Sequence, residues 1–274
     1  SNYTVTMING TLSVTPAPLT ITADNQSKAY GAALPTLTAT YAGFVNGDNE
    51  SSLDTPVSLT TTATAASDVG NYAITASGAA DLNYTITHIN GTLNITPVPL
   101  SITANNASRS YGMTNPPFSA TYSGFVNGDD ATDLLGTLLF TTLAETNSPV
   151  GTYAVTPSGL SSPNYSVSFV DGTLTITAYA LVATADNQTK LYGAALPALT
   201  GTLVGVHNGD AITATFTTVA TAASNVGSYA ITPVLADPNN LLSNYTVTMI
   251  NGTLSVTPAP LTITADNQSK AYGA

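Results

Sequence analysis

Cysteine and tryptophan are both absent from this 274-residue chain. Without cysteine there are no disulfides, no thiolate metal sites and no cysteine nucleophile, a composition that suits a protein kept unfolded during export. Charge is also scarce. Only 7% of residues are Asp, Glu, Lys or Arg, against about a quarter in an average soluble domain, and the four bases among them leave a net charge of −11. Such a surface cannot neutralise phosphates or dock on an anionic membrane, so nucleic acid is excluded as a partner. No apolar run reaches the roughly 18 residues of a membrane span. The chain opens in a strand-like segment with no basic and apolar leader, so any targeting or anchoring signal is expected outside it.

What the chain has instead is repetition. Leu19-Thr-Ile-Thr-Ala-Asp-Asn-Gln-Ser-Lys-Ala-Tyr-Gly returns in variant form from Leu100, Leu181 and Leu261, at intervals of 81, 81 and 80 residues. Asn-Tyr pairs keep the same beat, at Tyr3, Tyr84, Tyr165 and Tyr245. So do Asn9-Gly10, Asn90-Gly91, Asp171-Gly172 and Asn251-Gly252, and the loop Asn-Gly-Asp at 46–48, 127–129 and 208–210. Val-Gly-x-Tyr ends at Tyr72, Tyr153 and Tyr229. The third repeat has therefore lost five residues before this point and gained four after it, between strands, where loops absorb such changes. Residues 1–32 are identical to 243–274, as if a 242-residue block had been duplicated within a longer parent protein.

Within a repeat, Thr or Ser alternates with apolar residues at Tyr3–Met7, Thr11–Thr15, Leu19–Ala23, Leu37–Tyr41 and Val57–Thr61, with a further strand from Tyr72. That is the period of a half-buried strand. Asn9-Gly10 between two such runs predicts a tight hairpin. No helical period is visible. Six or seven short strands per repeat predict an all-β chain, a tandem array of about 80-residue domains, sandwich-like or β-grasp-like, arranged end to end. The expected boundaries are 1–17 for the last strands of one repeat, 18–98, 99–179 and 180–259 for three complete repeats, and 260–274 for the start of another. Thr15-Pro-Ala-Pro and Thr96-Pro-Val-Pro mark borders, replaced by Thr177-Ala-Tyr-Ala at the next. The connections are short and extended, so neighbouring repeats are expected to touch, and one strand is expected to complete its neighbour's sheet.

Tyr30-Gly31, Tyr111-Gly112 and Tyr192-Gly193, followed by Leu-Pro or a variant, then Gly-Phe-Val-Asn-Gly-Asp at 43–48 and 124–129 and Val-Gly-x-Tyr, form a recurring set. The set resembles the MBG-type repeats of large bacterial surface adhesins, over essentially the whole chain. The third repeat departs from it at Gly205-Val-His-Asn-Gly-Asp and the second at Asn115-Pro-Pro. The resemblance implies extracellular, mostly β modules in long filamentous proteins of the bacterial cell surface, with no catalytic residue to carry over.

Candidate sites are few. The four bases, Lys28, Arg109, Lys190 and Lys270, share one repeat position. An isopeptide bond from a buried lysine is conceivable there, but Arg109 cannot form one, which leaves a cation packing its stem and pairing with a local acid or carbonyl. A Thr–Gln ester fails in the same way, because Gln26 and Gln188 correspond to Ala107. His88 falls where other repeats have Met7, Phe169 and Met249, and His207 lies in a loop where the others have valine, so neither anchors a shared mechanism. Tyr3, Tyr30, Tyr72 and Tyr84 recur and read as core, since a β domain without tryptophan needs other large residues. Asp48, Glu50 and Asp54, with Asp129, Asp130 and Asp133, are oxygen-rich enough for calcium, yet the third repeat retains only Asp210. No catalytic, cofactor-binding or metal-binding residue is assigned. The expected partners are the neighbouring repeats, with a glycan or host surface bound through other parts of the parent protein. The expected role is a stalk or spacer, and the alternative is a glycan- or host-protein-binding adhesion module.

Overall fold

The computed structural model describes residues 2–273. It is all-β, with three similar β units in tandem and no α-helix among the described residues. Seven strands form the first repeat: β1 (Ala17–Ala23), β2 (Gln26–Ala29), β3 (Ala39–Ala42), β4 (Ser58–Thr61), β5 (Gly70–Ser77), β6 (Tyr84–Ile89) and β7 (Gly91–Thr96). The second contains β8 (Val98–Ala104), β9 (Ala107–Ser110), β10 (Ala120–Ser123), β11 (Leu135–Thr141), β12 (Gly151–Ser161), β13 (Tyr165–Val170) and β14 (Gly172–Thr177). The third contains β15 (Tyr179–Ala185), β16 (Gln188–Leu191), β17 (Gly201–Val204), β18 (Thr213–Thr218), β19 (Gly227–Ala236), β20 (Tyr245–Ile250) and β21 (Gly252–Thr257).

Each repeat builds two sheets. In the first they run β3-β1-β6 and β2-β7-β5-β4, and the third follows the same plan as β17-β15-β20 and β16-β21-β19-β18. The opening strands pair in parallel with the closing ones, β1 with β6 (Leu19 opposite Ile86) and β2 with β7 (Lys28 opposite Ile95). Alternation along β1 buries Leu19, Ile21 and Ala23, and along β7 it buries Gly91, Leu93 and Ile95. Ala23 meets Ile74, Ala76, Leu93 and Ile95 in one cluster, so the two sheets face each other as a small sandwich.

Three expectations are corrected. The Asn-Gly step is not a hairpin. β6 and β7 belong to different sheets, and the chain changes sheet at Asn90, where a Cβ on Gly91 would strike the carbonyl oxygen of Ala23. Glycine is needed there for close approach rather than for positive φ. Among the described residues no strand is exchanged either, for each of the six sheets found there uses strands of a single repeat. Third, Tyr3–Met7 and Thr11–Thr15 are not strands, although the identical Tyr245–Thr257 forms β20 and β21. Likewise Leu261–Ala271 has no strand where the identical Leu19–Ala29 forms β1 and β2. Leu19 and Ile21 are 1% and 0% exposed, whereas Leu261 and Ile263 are 85% and 87% exposed. One sequence thus takes both states, and pairing partners decide between them.

The chain divides into two compact units. The first comprises the residues up to Thr103, Ala120–Leu139 and Pro157–Val170, and the second comprises Ala104–Ser119, Phe140–Thr156 and the residues from Asp171 onward. In the first unit Ala23, Tyr30, Ile74 and Leu93 share a core with Leu100, Ile102 and Tyr165 of the following repeat. In the second, Tyr111, Val155 and Leu174 share one with Leu181, Ile212 and Tyr245.

Candidate functional site

The buried cations come first, because they shape what lies beside them. Lys28 is 7% exposed, and its Nζ donates to the carbonyls of Ala32 and Ala65 at 3.0 Å each. Lys190 repeats this with Ala194 and Ala222, at 3.1 Å each. Burial pushes the Lys28 ammonium below its ordinary value. Carbonyl dipoles thus take the place of the acid partner that sequence alone left open. The cation ties the turn after Tyr30-Gly31 to the loop at 62–69, and both carry contacts to the next repeat.

Arg109 reaches further. Its Nε donates to Asn115 Oδ1 at 2.7 Å, its guanidinium also reaches the Glu145 carbonyl, and Asn115 Nδ2 donates to the Ala144 carbonyl at 2.8 Å. The two departures of the second repeat, arginine for lysine and Asn-Pro-Pro for Leu-Pro, are therefore two halves of one hydrogen-bonded arrangement.

The corner held by Lys28 inserts into the following repeat. Tyr30 is 6% exposed, and its hydroxyl donates to Asp129 Oδ2 at 3.0 Å. The same oxygen accepts from Tyr165 at 2.7 Å, and the two rings meet edge to face at 5.5 Å. The Tyr165 hydroxyl also accepts from the Val126 amide at 3.0 Å. Gly31 has φ +76°, and a Cβ there would lie 2.7 Å from Val126 Cγ2. Only glycine satisfies both demands. A second contact flanks the first: Asn164 Oδ1 accepts from the Val69 amide at 3.0 Å, and its Nδ2 donates to Asp68 at 2.8 Å.

The second unit repeats this junction with new partners. Tyr111, 2% exposed, donates to Asp210 Oδ2 at 3.1 Å and Tyr245 donates to the same oxygen at 2.6 Å, with the rings 5.4 Å apart. Asn244 Oδ1 accepts from the Val150 amide at 2.9 Å. Gly112 packs on His207, whose ring lies 4.0 Å from that of Tyr179. The third repeat's two irregularities, histidine for valine in the loop and tyrosine at the border, are thus one packed pair.

Burial pushes Tyr165 up to about 12, aided by the hydrogen bond and negative charge of Asp129. Burial and Asp210 do the same for Tyr245, also to about 12. Tyr30 is raised as well, the Asn127 side chain pulling it down less than burial and Asp129 push it up.

These contacts place the remaining candidates. Asp129 and Asp210 serve tyrosines. Asp130 caps the 3-10 turn Ala131–Asp133 by accepting from the Thr132 amide at 2.7 Å, and Asp133 accepts from the Asp130 amide at 2.8 Å. Asp48 accepts from the Tyr84 hydroxyl at 2.7 Å and Asp54 from the Leu82 amide at 3.3 Å, and no group of three metal-ligating side chains gathers among the described residues. His88 pairs with Ile21 across β6 and β1, with its Nε2 buried and without a hydrogen-bond partner. Beside Tyr153 lies an open cleft of about 420 Å³ between Thr142, Leu143 and Thr156, while the Tyr153 hydroxyl itself donates to the Pro149 carbonyl. Among the described residues no helix is long and apolar enough to cross a membrane.

Sequence reasoning found Tyr30 and the Asn-Gly-Asp loop but not their union, and it missed Asp68, Asn164 and Asn244. The recurrence of Asn-Tyr at a constant interval is the signal that could have pointed to the two asparagines.

No curated protein matches the chain. Among solved structures, N-cadherin EC1-4 of Drosophila aligns at 10% identity over 89% of this chain and 76% of that one, with a TM-score of 0.25. The three N-terminal domains of the Hoc capsid protein of bacteriophage RB49 align at 12% identity over 89% and 99%, with a TM-score of 0.26. The fibronectin(III)-like modules of CbhA from Clostridium thermocellum align at 12% identity over 73% and 93%, with a TM-score of 0.22. At such TM-scores none of these likenesses carries an argument about this chain. The family model for the MBG domain (YGX type) matches residues 19–94, 100–175 and 181–255. Each match contains one of the Tyr-Gly corners described above, and the chain belongs to the MBG domain family of the YGX type.

Proposed function

We propose that this chain is a stretch of stalk or spacer in a long bacterial cell-surface or secreted adhesin, projecting a distal binding region away from the cell. MBG repeats occur in extracellular surface proteins and are not an enzyme family. The observation that carries the reading is the junction built twice on the same plan, each time closing two tyrosines over one aspartate between consecutive repeats. A spacer needs such recurrent coupling between units and needs little else. The uncharged Thr- and Asn-rich surface resists nonspecific association, and copying repeats adjusts length. Repeat boundaries at 18–98, 99–179 and 180–259 belong to this proposal.

Small-angle X-ray scattering in calcium and in EDTA tests it. Three units of roughly 30–40 Å each should give a maximum dimension of about 100–130 Å in both buffers. A compact particle overturns the stalk reading, and a dimension that depends on calcium requires a metal site. The cleft beside Tyr153 favours a second reading, a glycan-binding module. Retention on a glycan array, lost in Leu143→Asp, would select it.

A further inference from the structure

Two Asn-Gly steps sit inside the junctions. Val126 to Asp129 and His207 to Asp210 each form a tight turn, closed by the Asp129 amide on the Val126 carbonyl at 3.0 Å and by the Asp210 amide on the His207 carbonyl at 2.9 Å. Both central residues are left-handed, Asn127 and Gly128 at φ +60° and +86°, Asn208 and Gly209 at φ +56° and +71°. The asparagines are exposed, yet each side chain hydrogen-bonds the inserted tyrosine, Asn127 to Tyr30 and Asn208 to Tyr111. The aspartate that ends each turn is the one that accepts from both tyrosines. Turn and junction are therefore one piece of structure.

Asn-Gly is also a dipeptide open to self-modification, because glycine puts no Cβ in the path of its own nitrogen. That nitrogen can attack the asparagine Cγ: the N–Cγ bond forms, Cγ–Nδ2 breaks, and ammonia leaves with the amide proton. Water then opens the cyclic imide at either carbonyl, leaving aspartate or isoaspartate. A turn of this hand holds ψ of its first central residue at about +30°, and ring closure changes that angle, so the turn must open first. Gly128 and Gly209 have nothing within 4 Å of their Cβ direction, so opening meets no obstacle there. The other steps are held. Asn90 Oδ1 accepts from the Ala76 amide at 3.3 Å, and Gly91 and Gly252 are buried in β7 and β21 against the carbonyls of Ala23 and Asp186.

We infer that Asn127 and Asn208 are sites of self-catalysed deamidation, and that the reaction turns a transient opening of a junction into a permanent one. Either product carries a carboxylate two residues from Asp129 or Asp210, close to the oxygen that must receive both tyrosine hydroxyls. A like charge there disfavours the ionised aspartate on which the junction is built. Isoaspartate also adds a backbone atom to the turn, so the Val126 and His207 carbonyls lose their register with the Asp129 and Asp210 amides. The inference rests on the junction itself and not on the stalk reading.

Peptide mapping by mass spectrometry during incubation in mildly alkaline buffer reads the sites, with the chain unfolded in urea as the reference. The unfolded chain should react at Asn90, Asn127, Asn208 and Asn251 alike, whereas in the folded chain Asn127 and Asn208 should react and Asn90 and Asn251 should not. Tyr30→Phe removes a hydrogen bond to a charged group and should speed the reaction at Asn127 by about tenfold or more, with Asn208 unchanged. Tyr111→Phe should do the reverse. In the modified fraction, hydrogen exchange at the Val69 amide, which Asn164 holds at 3.0 Å, should quicken by a similar factor. A folded chain that keeps Asn127 and Asn208 intact overturns the inference, as does a rate at Asn127 indifferent to Tyr30→Phe. A modified fraction in which Val69 is still protected shows that the junction recloses, and overturns it too. Scattering from the unmodified chain tests the stalk reading separately, so either can fail without the other.

Discussion

The Nε of Arg109 donates to Asn115 Oδ1 at 2.7 Å, and neither residue occurs at the matching place in the other repeats, which have Lys28 with Leu34 and Lys190 with Leu196. The pair replaces a compact ammonium with a planar fork that needs an extra acceptor. Each single reversion breaks it. Arg109→Lys leaves Asn115 without its donor, and Asn115→Leu strips partners from both the guanidinium and the Ala144 carbonyl. Each should cost about 1–3 kcal/mol in chemical denaturation, as expected for a buried polar group left unpaired. Arg109→Lys with Asn115→Leu recreates the arrangement of the first repeat and should recover most of the loss, a coupling of about 1–2 kcal/mol in a double-mutant cycle.

Glycine substitutions separate backbone strain from junction contact. Gly31→Ala and Gly193→Ala carry the same positive φ, costing about 1–2 kcal/mol each. Only at Gly31 does the new methyl meet a neighbouring repeat, at Val126. Calorimetry should show the larger loss for Gly31→Ala, together with faster amide exchange at Val69 and Val126. Equal losses would mean that the corner contributes nothing to coupling.

The tyrosines set an alkaline limit. Tyr165 and Tyr245 are raised to about 12, above the ordinary 10.0, so folding favours the neutral phenol. The associated stability is complete below pH 10 and disappears as pH rises through about 12. Melting temperature should fall across that window, and NMR of isotope-labelled tyrosine rings should show these two ionising last. Asp129→Asn removes the charge beside Tyr165 and should lower its midpoint while leaving Tyr245 in place.

His88 offers the opposite case, a position open to improvement. Its Nε2 is buried without a partner, and the equivalent residues are methionine and phenylalanine. His88→Met removes the unpaired group and keeps the packing, so denaturation should show a gain of about 1 kcal/mol. A loss would reveal a role for the imidazole that the packing does not show.

Much of this was legible in the sequence. The interval of 81 residues, the alternation along Leu19–Ala23 and the recurrence of Tyr-Gly and Asn-Gly-Asp all survive in the structure as repeats, strands and corners. The pairing of Tyr30 with Asp129 was not legible, because its partners lie 99 residues apart in different repeats and local pattern does not register across that distance. Asn90-Gly91 shows the same limit. The dipeptide suits a hairpin, yet β1 and β2 draw β6 and β7 into separate sheets, and long-range pairing overrides the turn preference. The acids of the 129–133 loop have calcium chemistry in composition, but only the fold reveals that a tyrosine pair and a 3-10 turn already claim them.

The parallel pairing of β1 with β6 and of β2 with β7 also sets a timetable. A chain that emerges from a ribosome or a pore one residue at a time presents β1 and β2 long before their partners. Each repeat must therefore close in one late event, when its final dozen or so residues arrive. The closed repeat then presents its Tyr-Gly corner to the next segment to appear. Emergence would proceed in steps of one repeat, and each completed step would oppose backward slippage of the chain.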